Sequence, residues 1–340
     1  PSALTANRKL YIIFTPFIQI RSVLTGIHID MEILINSIII VVCVIVLAKG
    51  STWLVDSAVI IAHWLGIPTL IIGLTVVAFG TSAPEFGVTL LSGFQGKGDI
   101  SVGNIVGSNI FNLGFILGGT AMVRSLNADK ASVYRDGAFL LLGTVLLTIF
   151  IWDLSITRTA GFVLFSLLII YLAYLFLKKQ PVEEVSVDRR EVRWYDFVFF
   201  FLGLGMIVGG AHFLVESSVI IAKMIGISEW VIGVTVVAFG TSAPELAISL
   251  TAALKGHHGI SVGNLLGSDI FNMFGVLGLT AILKDLSVEP GVHSNMLVLV
   301  GMVLLVCIFM WTRWRISRLE GLILIIIGLA RWFYSFYFGT

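Results

Sequence analysis

The chain has 340 residues, 57% hydrophobic and only 12% charged, with a net charge of +1 and a mean hydropathy of +1.02. A soluble domain carries about 25% charged residues, so this chain has too little polar surface to cover itself in water and reads as a polytopic membrane protein. It has no basic excess for nucleic acid and no acidic tail, and Cys43 and Cys307, both within apolar runs, give no disulfide framework.

Residues 1–30 stand apart. Their apolar run, LYIIFTPFIQI, is shorter than the ~20 residues a bilayer span requires and is interrupted by Pro16. It follows Arg8 and Lys9 as a signal-peptide core would, yet no small-residue cleavage site comes after it. We read residues 1–30 as an extension without a functional role, placed before a more ordinary membrane sequence that begins at Met31. From there, apolar stretches alternate with short polar loops and predict ten spans, near 32–62, 67–94, 101–122, 137–152, 159–177, 196–223, 227–253, 261–282, 295–312 and 319–337. The third and eighth also hold Gly, Asn and Ser.

TVVAFGTSAPE occurs at 75–85 and again, letter for letter, at 235–245. An offset of 160 residues aligns Gly50–Gly118 with Gly210–Gly278 without a gap, and about half of the positions are identical. The chain is therefore an internal duplication, with a first five-helix repeat over 31–177, a linker over 178–195 and a second five-helix repeat over 196–340. Five spans is an odd number, so the second repeat enters the membrane from the opposite side. The expected fold is an all-α membrane protein of ten transmembrane helices arranged as two inverted repeats, an architecture of secondary transporters with the ion site at the repeat interface.

Lys and Arg set the orientation. Arg124, Lys130, Arg135, Lys178, Lys179, Arg189, Arg190, Arg193, Lys255, Arg313, Arg315 and Arg318 fall on one side of the ten-span arrangement, and Lys97, Arg158, Lys223 and Lys284 on the other. The positive-inside rule makes the first side cytoplasmic, so the protein is expected in the cell membrane, multi-pass, with both ends of the ten-helix unit extracellular. The linker reads as solvated cytoplasmic chain. Trp152, Trp194, Trp311, Trp314 and Trp332 lie near span ends, where an interfacial aromatic belt places them.

A carboxylate inside a membrane span costs several kcal/mol unless it is paired, protonated or bound to a cation. Glu85 and Glu245 are therefore functional candidates. Pro84 and Pro244 each remove a backbone donor, and Gly80 and Gly240 let the chain unwind, so each span reads as a broken helix. Unwinding would expose the carbonyls of Ala78 and Ala238, beside the hydroxyls of Thr81, Ser82, Thr241 and Ser242. Carboxylate, carbonyl and hydroxyl oxygens together suit a hard cation. The structural alternative is a pair of merely kinked helices with salt-bridged glutamates, but no Lys or Arg lies in the neighbouring membrane core to pair them.

A second repeated element follows each glutamate: GNIVGSNIFN at 103–112 and GNLLGSDIFN at 263–272. Ser108 and Asn112 are four residues apart and share a helix face, as do Ser268 and Asn272. Asn104 and Asn264 lie a further turn back. Gly107 and Gly267 would allow close helix packing, which accounts for the glycines but not for buried amides that need partners.

GTSAPE followed by GNxxGS and a residue four beyond the Ser, in both halves, resembles the repeats of the calcium/cation antiporter superfamily, most closely its prokaryotic sodium/calcium exchanger branch. The resemblance covers the chain from Met31 onward. It implies a ten-helix inverted-repeat fold, exchange of Ca²⁺ for several Na⁺, and mobile first and sixth spans that slide across the other eight. It also implies ligands at Glu85 and Glu245, surrounded by Asn112, Ser82, Ser242, Ser108, Ser268, Thr81, Thr241 and the carbonyls of Ala78 and Ala238. The chain departs from the pattern at Asn272, where the branch often has Asp. Asp269, about 60° around the helix from Asn272, is then the nearest extra acid, read here as an outer or pathway acid rather than a ligand.

The expected function is a secondary active antiporter exchanging Ca²⁺ for Na⁺ by alternating access. The alternative is a Ca²⁺/H⁺ antiporter in which the glutamates take protons; against it, the proton-coupled branch typically carries GNxxE. A passive cation channel fits less well, because a single-chain duplication with midplane acids favours alternating access. No phosphate-binding loop and no large soluble domain support a primary pump or an enzyme. No cofactor and no obligate protein partner is expected beyond the bilayer and the transported ions.

Overall fold

The computed structural model describes residues 3–130, 133–177, 192–226 and 238–338, with side chains described from Met31 onward except those of Ala238 and residues 335–338. Most of the expected linker (178–191) and the first part of the seventh expected span (227–237) lie outside the described residues, as do Lys178, Lys179, Arg189 and Arg190.

The described residues are mostly helical. A long helix α1 (Ala3–Leu65) is followed by α2 (Thr69–Thr81) and α3 (Ala83–Phe94), which meet at a bend of 51°. Then come α4 (Gly98–Val123), α5 (Val133–Ile151), α6 (Arg158–Leu177) and α7 (Trp194–Met224). The short α8 (Ala238–Thr241) precedes α9 (Ala243–Lys255), α10 (His258–Leu283), α11 (Val292–Arg313) and α12 (Arg318–Phe338). Among the described residues, seven helices are long and apolar enough to cross a membrane, or eight if the bent pair α2–α3 counts as one span. Helices satisfy their backbone donors and acceptors internally, as a bilayer core demands. Their outward faces carry Leu34, Val41, Ile45, Ile149, Ile170, Phe201, Leu297 and Ile326, all exposed, which is the expected surface where lipid is the solvent.

Helices α4 and α10 form the centre. Their most apolar windows are 67% and 78% buried, against 17–39% for the other single-helix candidates, so these two face protein and can hold Asn and Ser without facing lipid. Leu113, Ile116 and Leu117 of α4 and Met273, Phe274 and Leu277 of α10 anchor the main core. A second cluster joins α1, through Leu54, Val55 and Ala58, to α7, through Phe200, Ile207 and Ala211. Glycines bring backbones together at matched places. A Cβ on Gly50 would lie 2.9 Å from the Gly203 carbonyl oxygen, and one on Gly203 would lie 2.7 Å from that of Gly50. Gly118 meets Gly321 in the same manner, and Gly161 meets Gly278.

Four two-residue strands, β1 (Leu126–Asn127), β2 (Ser155–Ile156), β3 (Leu286–Ser287) and β4 (Arg315–Ile316), pair antiparallel as β1 with β4 and β2 with β3. Helix α5 lies between β1 and β2 in sequence, so the two pairs sit at opposite ends of its 19 residues, a rise of about 28 Å. At the β1–β4 end, Arg124 reaches the Leu254 carbonyl at 2.5 Å, Arg318 reaches that of Val123 at 3.3 Å, and Lys130 lies over the Trp314 ring. At the other end, Lys284 donates to the Phe94 carbonyl beside Lys97, and the Arg158 N–H to Asp285. Arg124, Arg318 and Lys130 thus lie at one end and Lys284 and Arg158 at the other. Cys43 and Cys307 are both free.

Candidate functional site

The bend between α2 and α3 follows from a few residues. Pro84 stands in the first turn of α3, where its missing N–H is tolerated, and it leaves the Gly80 carbonyl without a helical donor. Ser82 alone leaves the helical region, at φ −79° and ψ 9°, and Ser242 repeats this at φ −91° and ψ 6°. The break is a bend about one residue and not the unwound stretch expected. Accordingly the Ala78 carbonyl is not laid bare: it accepts the Ser82 N–H at 3.0 Å and the Thr81 hydroxyl at 3.1 Å. Its counterpart Ala238 opens α8. Glu85 and Glu245 each fall in the first turn after the bend, where the helix terminus favours negative charge. Both are buried at 1% exposure.

The helices opposite the bends widen where the amides sit. In α4 the backbone adopts wider, π-type turns over Asn112–Leu117, and in α10 over Phe271–Leu277, which includes Asn272. Such local π-turns are frequent at functional sites, because the extra residue per turn re-aims a side chain.

These elements bring the two halves together. Thr81 donates toward the Asn264 amide oxygen at 3.3 Å and lies 3.3 Å from the Ser268 hydroxyl. Ser82 donates to Glu245 Oε1 at 3.4 Å. The hydroxyl of Ser108 faces Glu85, and that of Ser268 faces Glu245. Asn104 donates to the Glu85 carbonyl and to Thr89, while Asn264 donates to the Glu245 carbonyl and to Ser249, so each glutamate-bearing helix is fixed to the following helix in the same way. Asn112 donates to Asp269 Oδ1 at 3.0 Å, and Asn272 to Asn109 Oδ1 at 3.0 Å. Thr241 is half-buried at the same bend. These contacts join Thr81 and Ser82 to Ser268 and Glu245, and Asn112 and Asn272 to the opposite half, while Ser242 is buried at the second bend.

Asp269, read from the sequence as an outer or pathway acid, is fully buried and bonded to Asn112 across the halves. Asn109, its counterpart 160 residues earlier, joins the site without having been expected there; the available signal is that an amide in a buried helix must find partners. The packing glycines also differ. A Cβ on Gly267 would lie 2.7 Å from Leu74 Cα, whereas Gly107 has no neighbour within 4 Å among the described residues.

Among the described residues no cation pairs with either glutamate, and no three of His, Cys, Asp and Glu converge as a metal cluster by themselves. The acids are instead interleaved with amide and hydroxyl oxygens. Several of those oxygens are buried without a protein partner: Glu85 Oε2, Glu245 Oε2, Asp269 Oδ2, Asn112 Oδ1, Asn272 Oδ1 and Ser242 Oγ. Leaving one such acceptor unsatisfied costs about 1–3 kcal/mol. Gathering several in one place is a donor set for an oxygen-seeking cation, supplied from both halves.

Known proteins resemble this chain in sequence and fold. The sodium/calcium exchanger protein family matches residues 35–177 and 195–335. The putative antiporter CaxA of Alkalimonas amylolytica is 34% identical over 86% of this chain and 96% of its own length. The sodium/calcium exchanger MaX1 of Methanosarcina acetivorans is 33% identical over 88% of this chain and 97% of its own. A solved structure of the sodium-calcium exchanger NCX_Mj superposes with a TM-score of 0.78 at 31% identity, covering 88% of this chain and 97% of that one.

Proposed function

The chain belongs to the sodium/calcium exchanger protein family, and from that premise we propose that it is an antiporter that moves Ca²⁺ against Na⁺ by alternating access. The observation that carries this reading is the group of buried, unpartnered oxygens on both sides of the repeat interface. Ca²⁺ takes six to eight oxygen ligands and Na⁺ accepts the same hard donors, so one cavity can hold either ion in turn. Glu85 and Glu245 supply charge. Ser82, Ser108, Ser242, Ser268, Thr81, Thr241, Asn112 and Asn272 supply neutral oxygens, together with the Ala78 and Ala238 carbonyls. A carbonyl has two lone pairs, and ion binding at Ala78 replaces the Thr81 hydroxyl bond.

The same reading holds ten spans as two inverted five-helix repeats. The two spans beyond the eight candidates are α12 and the segment 227–253. Strand β3 lies 160 residues after β1, yet pairs with β2 at the opposite end of the bundle, and β1 pairs with β4. That exchange of partners is what an in-plane two-fold axis produces, and it supports inversion. By the charge rule the β1–β4 end faces the cytoplasm.

The test is uptake of radioactive Ca²⁺ into proteoliposomes with Na⁺, K⁺ and H⁺ gradients imposed one at a time. Uptake driven by an outward Na⁺ gradient is expected. Uptake driven only by protons would replace this reading with Ca²⁺/H⁺ exchange, and uptake without any counter-ion dependence would point to a channel.

A further inference from the structure

Inside the site the two halves differ in charge at one pair of positions. Position 109 is Asn and position 269, its counterpart 160 residues later, is Asp. Each receives a bond from the other half's amide: Asn272 Nδ2 to Asn109 Oδ1 and Asn112 Nδ2 to Asp269 Oδ1, both 3.0 Å. The geometry is the same and the charge is not.

We propose that Asp269 is a positioning residue for the cation site, which holds the Asn112 amide by its nitrogen and adds a third negative charge to the cavity. A carboxylate that accepts from Asn112 Nδ2 leaves Asn112 Oδ1 directed elsewhere, and that oxygen is buried without a protein partner. Asp269 Oδ2 is likewise buried and unpartnered. In the other half, Asn109 does the orienting without the charge. Its own Nδ2 donates to the Asp269 backbone carbonyl at 3.2 Å, so its oxygen must accept from Asn272, which frees Asn272 Oδ1. The role therefore belongs to the pair across the halves and not to position 269, and it is transferable to position 109.

The inference rests on the exchanger reading, and the experiment separates the two. Parent, Asp269→Asn and the double variant Asn109→Asp/Asp269→Asn are purified in detergent, and Ca²⁺ is titrated against their thermal denaturation, a readout that needs no transport. In Asp269→Asn the half-maximal Ca²⁺ concentration should rise by on the order of tenfold, because one charge near a divalent ion is lost. The swapped variant restores the charge on the oxygen that accepts from the other half's amide, at the cost of the Asn109 Nδ2 bond to the Asp269 carbonyl, and should recover part of the lost affinity relative to Asp269→Asn. A parent that is not stabilised by Ca²⁺ overturns the exchanger reading and this inference with it. A parent that binds while Asp269→Asn binds equally well overturns only the role of Asp269. A folded swap that does not recover overturns it too, as does failure of both variants to fold, since Asp269 would then be needed for structure whatever its charge. If Asp269→Asn alone fails to fold, the swapped variant decides between the same outcomes.

Discussion

Asn104 and Asn264 occupy matched positions with unmatched surroundings, which permits a prediction with its own control. Within its own half each amide makes the same two bonds, to a glutamate carbonyl (3.3 and 3.4 Å) and to a hydroxyl on the same helix (2.9 and 3.0 Å). Truncation to Ala removes both bonds in either case, so that part of the loss cancels in the comparison. Asn264 Oδ1 also lies 3.3 Å from the Thr81 hydroxyl of the other half, whose one proton it shares with the Ala78 carbonyl, and Asn264 is fully buried, whereas Asn104 is half-buried. The shared bond is worth about 0.5 kcal/mol, and the groups orphaned around Asn264 have less access to water, which adds about 1–2 kcal/mol. Asn264→Ala should therefore be less stable than Asn104→Ala by about 1.5–2.5 kcal/mol, a factor of ten or more in the folded population. The assay is thermal denaturation of the two variants side by side in one detergent without added ions, with the parent as reference. Equal losses, or a larger loss in Asn104→Ala, would refute the claim that the Thr81–Asn264 contact ties the halves together.

Glu85→Gln and Glu245→Gln should each abolish Ca²⁺ uptake while leaving a folded protein, because a nearly isosteric change removes one of the charges that offset the ion's desolvation; retained uptake in either folded variant would remove that glutamate from the site. Cysteines placed at Arg124 and Arg315 should react with an impermeant thiol reagent from one side of the membrane only, and one at Lys97 from the other only, so labelling of Lys97 and Arg315 positions from the same side would contradict the inverted arrangement. Gly263→Val should prevent correct assembly, since even its Cβ would sit 2.6 Å from the Leu70 carbonyl oxygen and 3.1 Å from the Leu74 nitrogen, backbone atoms that cannot turn aside. Gly103→Val, whose Cβ meets nothing within 4 Å among the described residues, should express and melt nearly as the parent does, and comparable losses in both would count against the close packing of α10 on α2.

The membrane character, the duplication and the two glutamates are legible in the sequence because each has a local signature. Spanning runs are set by bilayer thickness, a repeat is self-similarity at one offset, and an acid in an apolar run is costly wherever the run ends up. The amide pairs are not legible, because Asn112 and Asp269 stand 157 residues apart and Asn272 and Asn109 163. A helix wheel orders the residues of one helix but does not say which part of its surface meets the other half. From Asn272 alone, Asp269 points about 60° away; that it holds Asn112 shows only once the other half is packed against it. The Ala78 carbonyl departs from expectation for a different reason. Gly and Pro in a span signal a break, but the number of residues that leave the helix depends on packing around the bend, and here Ser82 suffices.

The identical residues 81–85 and 241–245 meet different surroundings, and this bears on how an exchanger works. Ala83 is exposed and Pro84 half-buried, while Ala243 and Pro244 are buried. Identical segments have identical intrinsic preferences, so the difference comes from the arrangement and not from the motif. Exchanging the two surroundings would produce an arrangement built from the same contacts, with an energy that differs only through positions where the repeats diverge, such as Asn109 against Asp269. Two packings separated by a few kcal/mol can be interconverted by ligands that bind them unequally. On the proposed reading the duplication is thus more than a way to build a symmetric ion site: it supplies a second packing of nearly equal energy, and the charge at position 269 is placed where it can bias both ion binding and the choice between packings.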